Sequence, residues 1–331
     1  MRTKEFVFFL CITCMCASTQ AAEKDPFKYT GEPPAGTEIV HPVDGALMVW
    51  VPGGGFIMGM DKEEANAAVK ALGYKDWEEV WAWEWFPRRK EYVRGFFADK
   101  YEVTILQWAA YEKYAKTSSP QGLKTKIPAE KTPGEYALYP ISSVLWAEAQ
   151  KYANWAGKQL PSEAQWEKAA RGTDGRIYPW GNEIPTPERG VFVDLKTKAV
   201  TQPKMVGSCP KGDSPYGCCD MAGNLYEWTS QWAEPYPNNP ERSRMLSYAG
   251  HSFGCLRGGS FYHGTHAYIS AKRFGFQPDE TYYHVGFRTV WTPPEDYFTS
   301  KEFAEARNRV PEKKKEIAGL RAAGNPVPPG F

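Results

Sequence analysis

The stretch PSEAQWEKAARG, residues 161–172, carries its own start and stop signals. Ser162 followed three residues later by Gln165 is a capping box, in which each side chain satisfies the other residue's backbone N–H, and Gly172 supplies the C-terminal cap. A helix is predicted between them. Thr104 and Gln107 repeat the box in front of LQWAAYEKYAK, residues 106–116. Trp146, Ala149, Ala153 and Ala156 keep near-helical spacing over about 144–156, ahead of Gly157. Beyond Gly172 the character changes. The run to Trp291 is rich in Gly, Pro, Asn, Asp and aromatic residues, with short strand-like pieces such as HVGFRTVW, residues 284–291. A few helices framing an irregular, mostly β remainder predict an α+β domain with little regular structure.

Upstream, LMVWVPGGGFIMGM (residues 47–60) alternates strand-forming residues and turns on three glycines, which predicts a hairpin. Residues 61–85, with tryptophans and acids packed between Trp77 and Trp85, predict a helical or irregular insertion that is either a binding face or a cover over the core. The organisation expected is a leader over 1–22, an extended lead-in over 23–45, one domain over 46–292 and a tail over 293–331. Within the tail, EKKKEIAGLRAAG is a candidate short helix with a solvated charged face.

The leader reading rests on Arg2 and Lys4, an apolar run from Phe6 to Ala17 and small residues ending at Ala21 and Ala22, the three parts of a secretory signal. The run is shorter than the ~20 residues that span a bilayer. Met15 before Cys16 and Thr13 before Cys14 do not fit a lipoprotein signal. A secreted or periplasmic location is expected. With 42% hydrophobic and 15% aromatic residues there is material for a core, and 40 Lys plus Arg against 39 Asp plus Glu give no charge excess that points to nucleic acid or an anionic membrane.

Once the leader is removed, Cys209, Cys218, Cys219 and Cys255 remain. In an oxidising compartment they favour disulfides, Cys209 with Cys218 or Cys219 and the other joined to Cys255. A four-thiolate zinc site is the alternative, although Cys218 and Cys219 are adjacent rather than spaced as CxxC.

Five segments in this order, VPGGGFIMG, DKYEVT, WAGKQLPSEAQWEKAARG with YPWGN, DMAGNLYEWTS, and LRGGSF with GFR, together resemble the formylglycine-generating enzyme or sulfatase-modifying factor family over about residues 48–290. The resemblance implies that family's C-type-lectin-related α+β fold. It also matches Asp220, Gly223, Leu225 and Glu227 to the family's better-kept calcium site. Two carboxylates and two backbone carbonyls on a tight turn are an oxygen-only set that suits this hard cation. The alternative is a metal-free Asx turn with Glu227 in an ion pair. The family's other calcium site falls between Val191 and Met205, without a residue-by-residue match.

One departure bears on the chemistry. Family members that make formylglycine use two cysteines shortly after GGS, with copper(I). Here those positions hold His263 and Tyr268, so the thiol chemistry does not carry over. Ser260 matches the family's active-site serine, His284 stands in the place of its asparagine, and Arg288 reads as structural. Four of the five histidines, His251, His263, His266 and His284, fall in segments that the family fold brings near one groove.

Three functions follow as expectations. The first is an exported protein that binds a peptide or small ligand of an extracytoplasmic partner in the former substrate groove. The second is a non-haem iron or copper oxidoreductase with His263, His266 and His284 as ligands and Ser260 and Tyr268 ordering substrate or oxygen. The same trio hydrogen-bonded to tyrosines and water is the metal-free reading. The third is a residual thiol oxidase on Cys218, Cys219 or Cys255.

Overall fold

The computed structural model describes residues 26–116, 136–193, 202–242 and 253–323. The leader, His251, residues 194–201 of the unmatched calcium segment and the proline-rich end lie outside the described residues.

Both capping boxes form as read. Helix α2 (Ile105–Ala115) starts on Thr104, whose hydroxyl accepts the Gln107 N–H at 3.3 Å while Gln107 Oε1 accepts the Thr104 N–H at 3.0 Å. Helix α4 (Glu163–Arg171) starts on Ser162 in the same way and ends with the Gly172 N–H on the Lys168 carbonyl. Helix α3 (Trp146–Trp155) fills the expected window before Gly157, which has φ +69°. The insertion contains α1 (Lys62–Ala71), and its Ala65, Ala68 and Val69 join Val80, Ala82 and Trp85 in the largest apolar cluster. These residues of the insertion therefore cover the core.

The strands form three small sheets. One runs β1 (Glu38–Val40), β2 (Leu47–Val51), β5 (Phe96–Asp99), β10 (Val290–Trp291); a second pairs β3 (Gly54–Met58) with β4 (Arg89–Val93); the third runs β8 (Arg273–Phe276), β7 (Gly254–Arg257), β6 (Tyr226–Trp232), β9 (Val285–Gly286), with β6 and β9 parallel. The expected hairpin over residues 47–60 does not form, because β2 and β3 belong to different sheets. The glycines there serve a close approach instead: a Cβ on Gly53 would sit 1.6 Å from the Phe27 carbonyl oxygen.

The segments read as lead-in and tail are built into the fold. Strand β1 pairs with β2, and the Tyr29 hydroxyl donates to the Pro293 carbonyl at 2.9 Å. Helices α5 (Lys301–Asn308) and α6 (Val310–Ala322) follow the domain, and Tyr297, Phe298 and Phe303 pack with Trp50 and Phe97 in one core cluster. Sequence patterning missed this because the apolar residues at 297–303 are too few and too close for a periodicity to register.

Helix α4 is the hub that places the site. Seven of its nine residues are buried, four of them charged. Glu163 takes the Arg273 guanidinium through two bonds of 2.5 and 2.6 Å, Glu167 meets Arg257 at 2.5 Å and Arg171 at 3.0 Å, and Glu167 also accepts the Gly59 N–H at 2.8 Å. Helix α4 is thereby joined to β7, β8 and the turn after β3. Removing one member of such a buried pair costs about 3–5 kcal/mol, since the other charge is left without compensation.

The disulfides expected from the sequence are not present. All four cysteines are free and buried, and they sit in different surroundings: Cys209 with Val191, Leu225 and Phe261, Cys218 in the cluster of Val49 and Trp166, and Cys255 on β7. Apolar packing, rather than cross-linking, occupies these side chains. Among the described residues no helix is long and apolar enough to cross a membrane.

Candidate functional site

Strand β7 ends at Arg257, and Gly258 and Gly259 follow with φ of +94° and +73°. A Cβ on Gly259 would lie 2.7 Å from both the Ala267 carbonyl oxygen and the Tyr268 ring. Only glycine lets the chain turn here and fold residues 260–268 back on themselves. The loop is pinned to the turn before β6 by the Gly223 N–H on the Gly258 carbonyl (2.8 Å) and the Phe261 N–H on the Asn224 carbonyl (2.9 Å). Tyr268 lies beneath it, fully buried, its hydroxyl donating to the Val191 carbonyl at 2.9 Å with the Ser260 carbonyl at 3.2 Å.

The three candidate histidines divide. His263 Nδ1 is hydrogen-bonded to the buried Ser260 hydroxyl at 2.7 Å, and its ring centroid is 5.1 Å from that of His284. His266 turns instead to the Tyr74 hydroxyl, 2.8 Å from Nδ1. Burial holds the His263 pKa down to about 3, with His284 and His266 adding to the effect, and burial likewise holds His266 to about 3 and His284 to about 4. All three are neutral imidazoles at ordinary pH.

His284 is the singular member. It is 7% exposed, and neither ring nitrogen has a hydrogen-bond partner among the described residues. Aromatic rings surround it: Tyr262 stacked at 5.6 Å, Tyr283 at 5.0 Å and Phe276 at 5.5 Å. Tyr262 and Tyr283 are respectively 45% and 40% exposed and form the rim. Sequence reading missed Tyr74 and the rim tyrosines. Tyr74 lies 192 residues from His266 and no local pattern links them.

The turn before β6 gathers buried acids. Glu227 is held by Arg288 through Nε at 2.7 Å and Nη2 at 2.6 Å, and by the Trp166 indole N–H at 2.7 Å. Arg288 is thus a buried partner of Glu227. Asp220 accepts the Gly207 N–H at 2.5 Å, and Glu102, also unrecognised in the sequence, accepts the Leu225 N–H and the Asn224 amide. Burial pushes Asp220 up to about 6, and burial with the Asp220 and Glu227 charges pushes Glu102 well up. Negative charge beyond what the Arg288 guanidinium balances is the donor chemistry that a hard cation satisfies. No three His, Cys, Asp or Glu side chains among the described residues are grouped to hold an ion, so a cation here would need the Gly223 and Leu225 carbonyls.

A family model described as the sulfatase-modifying factor enzyme 1-like domain matches residues 38–293. The chain belongs to this family. The formylglycine-generating enzyme of Thermomonospora curvata is 30% identical over 301 residues, spanning 74% of this chain and 93% of that protein. The inactive C-alpha-formylglycine-generating enzyme 2 of Bos taurus is 29% identical over 272 residues, spanning 73% and 86%. Two other curated relatives are longer, and the chain spans only 48% and 24% of their lengths. Among solved structures, PvdO from Pseudomonas aeruginosa superposes with a TM-score of 0.58 at 20% identity, covering 79% of this chain and all of the other, which speaks to the fold alone.

As a sulfatase-modifying factor family member the chain keeps the α+β framework expected of it. At the two positions matched to the family's cysteines it presents an imidazole hydrogen-bonded to Ser260 and a phenol locked beneath the loop. The remaining thiols are no substitute: burial pushes Cys218 up to about 11 and raises Cys209, Cys219 and Cys255 as well. A thiol so shifted holds almost no thiolate at neutral pH.

Proposed function

We propose that this family member does not generate formylglycine but binds a peptide or small ligand of an extracytoplasmic partner at the face formed by Tyr262, His263, Tyr283 and His284. The observation that carries the reading is His284, whose two nitrogens are buried without partners among the described residues, under two half-exposed tyrosines. A neutral imidazole offers one donor and one acceptor, and leaving either unmade costs about 1–3 kcal/mol, so a ligand amide that pairs with them recovers that energy. The test is to incubate the protein with a cysteine-containing sulfatase peptide, copper(I) and oxygen and to follow both mass and binding. The peptide is expected to keep its cysteine; conversion to formylglycine would falsify the proposal.

A second reading, a non-haem iron or copper oxidoreductase, is favoured by the 5.1 Å approach of His263 and His284 as neutral rings. His266 would have to leave Tyr74 to complete the trio. Fewer than one transition metal per purified chain, unchanged by His263→Ala, rules this reading out.

Calcium at Asp220, Gly223, Leu225 and Glu227 belongs to the same proposal. It would relieve the buried acids, and it is tested by melting the protein with and without a chelator: a melting temperature that neither chelator nor Asp220→Ala shifts removes the ion. Export with loss of residues 1–22 is checked by the intact mass of the protein recovered outside the cytoplasm.

A further inference from the structure

A cavity of about 660 Å³ opens where the β3–β4 pair, the start of α4 and the end of β6 meet, and none of its lining residues belongs to the 258–268 loop or the rings around His284. Four of its five charged lining residues are matched in pairs, and Glu234 is the fifth. Arg273 is held by Glu163 through two bonds, and Arg89 Nε faces Glu91 at 3.4 Å. An anionic ligand therefore finds each guanidinium of the lining already facing a carboxylate.

What the cavity does offer is directional hydrogen bonding beside flat apolar surface. The Arg89 guanidinium lies over the Tyr236 ring at 3.7 Å with its Nη1 buried, so it forms part of the wall rather than an accessible donor. Gln231 uses its amide oxygen to accept the Glu163 N–H at 2.7 Å, which leaves its amide nitrogen as a donor, and the Ser230 side chain is exposed beside it. Trp232 is 42% exposed and packs against Trp146 at 5.5 Å, whose indole N–H is anchored on the Thr229 carbonyl at 2.7 Å. An indole held in this way is a preformed platform, since little side-chain entropy remains to be lost on binding.

We propose that this cavity binds a neutral carbohydrate of about disaccharide size, with Trp232 against the apolar C–H face of one ring and Ser230 and Gln231 on its hydroxyls. The volume lies within the ~300–1,000 Å³ usual for small-ligand sites. The site is independent of the His284 face, so either can fail alone.

The experiment is calorimetric titration of the full chain with maltose, cellobiose and N,N′-diacetylchitobiose, each to about 20 mM, beside a sulfated disaccharide. At least one neutral sugar is expected to bind. Trp232→Ala is expected to weaken it about tenfold, roughly 1.4 kcal/mol, at an unchanged melting temperature, while Tyr262→Ala leaves it unaltered. Gln231→Ala serves as the second variant should Trp232→Ala be unstable, with the same loss expected. Absence of heat with all three neutral sugars overturns the proposal, as does binding indifferent to both cavity variants or salt-sensitive preference for the sulfated sugar.

Discussion

Lys158→Met perturbs a deeply buried charge cluster outside α4. Lys158 Nζ bridges Asp44 at 2.5 Å and Asp99 at 2.9 Å, with side-chain exposures of 0%, 0% and 3% respectively. Asp44 also accepts the Tyr152 hydroxyl at 2.8 Å and faces His41 Nδ1 at 3.0 Å, and Asp99 accepts the Thr289 N–H at 2.9 Å. Although burial alone would raise the Asp44 pKa, Lys158 and His41 hold it well below the usual carboxylate range. Methionine keeps the length of the stem and removes the charge, leaving two buried carboxylates that share no ammonium. The loss expected at pH 7.5 is about 3–5 kcal/mol.

The sign of the pH dependence makes the argument specific. In the wild type a depressed Asp44 pKa gives stability that is present above the unfolded value of 3.8 and fades as pH falls below it. In the variant, burial without Lys158 raises the Asp44 pKa, so lowering the pH protonates the folded state first and restores stability. Denaturant titrations followed by tryptophan fluorescence at pH 7.5 and 4.5 should show the gap between the two proteins narrowing in acid. A gap under about 1 kcal/mol at pH 7.5, or one that widens in acid, refutes the reasoning. Adding Asp44→Asn to Lys158→Met is expected to return part of the loss.

The other predictions concern the thiols and the site. Cys209, Cys218, Cys219 and Cys255 are expected to be silent to a thiol reagent in native protein and to react fully once it is unfolded without reductant, whereas disulfides would leave them silent in both. His284, with its pKa lowered from 6.5 to about 4, withholds a proton that the unfolded chain takes up. It should therefore contribute about 2 kcal/mol to the stability lost between pH 8 and pH 5, and His284→Phe should flatten that slope by this amount; an unchanged slope would contradict its burial as a neutral ring. Tyr268→Phe removes one of two donors to the Val191 carbonyl, which also accepts the Asn224 N–H at 3.2 Å, and is expected to cost about 1 kcal/mol in denaturant titration. No measurable loss would mean that this hydroxyl does not lock the loop.

What the chain discloses before folding is what neighbouring residues settle among themselves. The boxes at Thr104 and Ser162 need only residues three apart, and both helices appear where they should. The hairpin over 47–60 was misread because a glycine run looks the same whether it makes a turn or admits another backbone, and Phe27 lies too far away to be seen. The cysteines suggested cross-links through their expected compartment, whereas their fate depends on which apolar cluster each joins. At the candidate site, the resemblance drew attention to His263 and Tyr268, and the structure puts the first on Ser260 and the second beneath the loop. The division of the histidines was not legible, since it depends on Tyr74 arriving from the insertion.

The buried arginine–glutamate lattice around α4 also bears on how such a chain can diversify. The lattice fastens the backbone at Gly59, at the 163–171 helix, at Arg257 and at Arg273. Between those fixed points lie described stretches with little regular structure, such as residues 172–193 and 202–225. Doubling the length of a flexible loop adds only about 0.6 kcal/mol of closure entropy. Passages between the anchors can therefore be rewritten at small expense to folding, while the ends that carry Ser260 and His263 stay registered against Glu227. Novelty in this architecture enters by the loops and is held in place by the three arginine–glutamate pairs underneath.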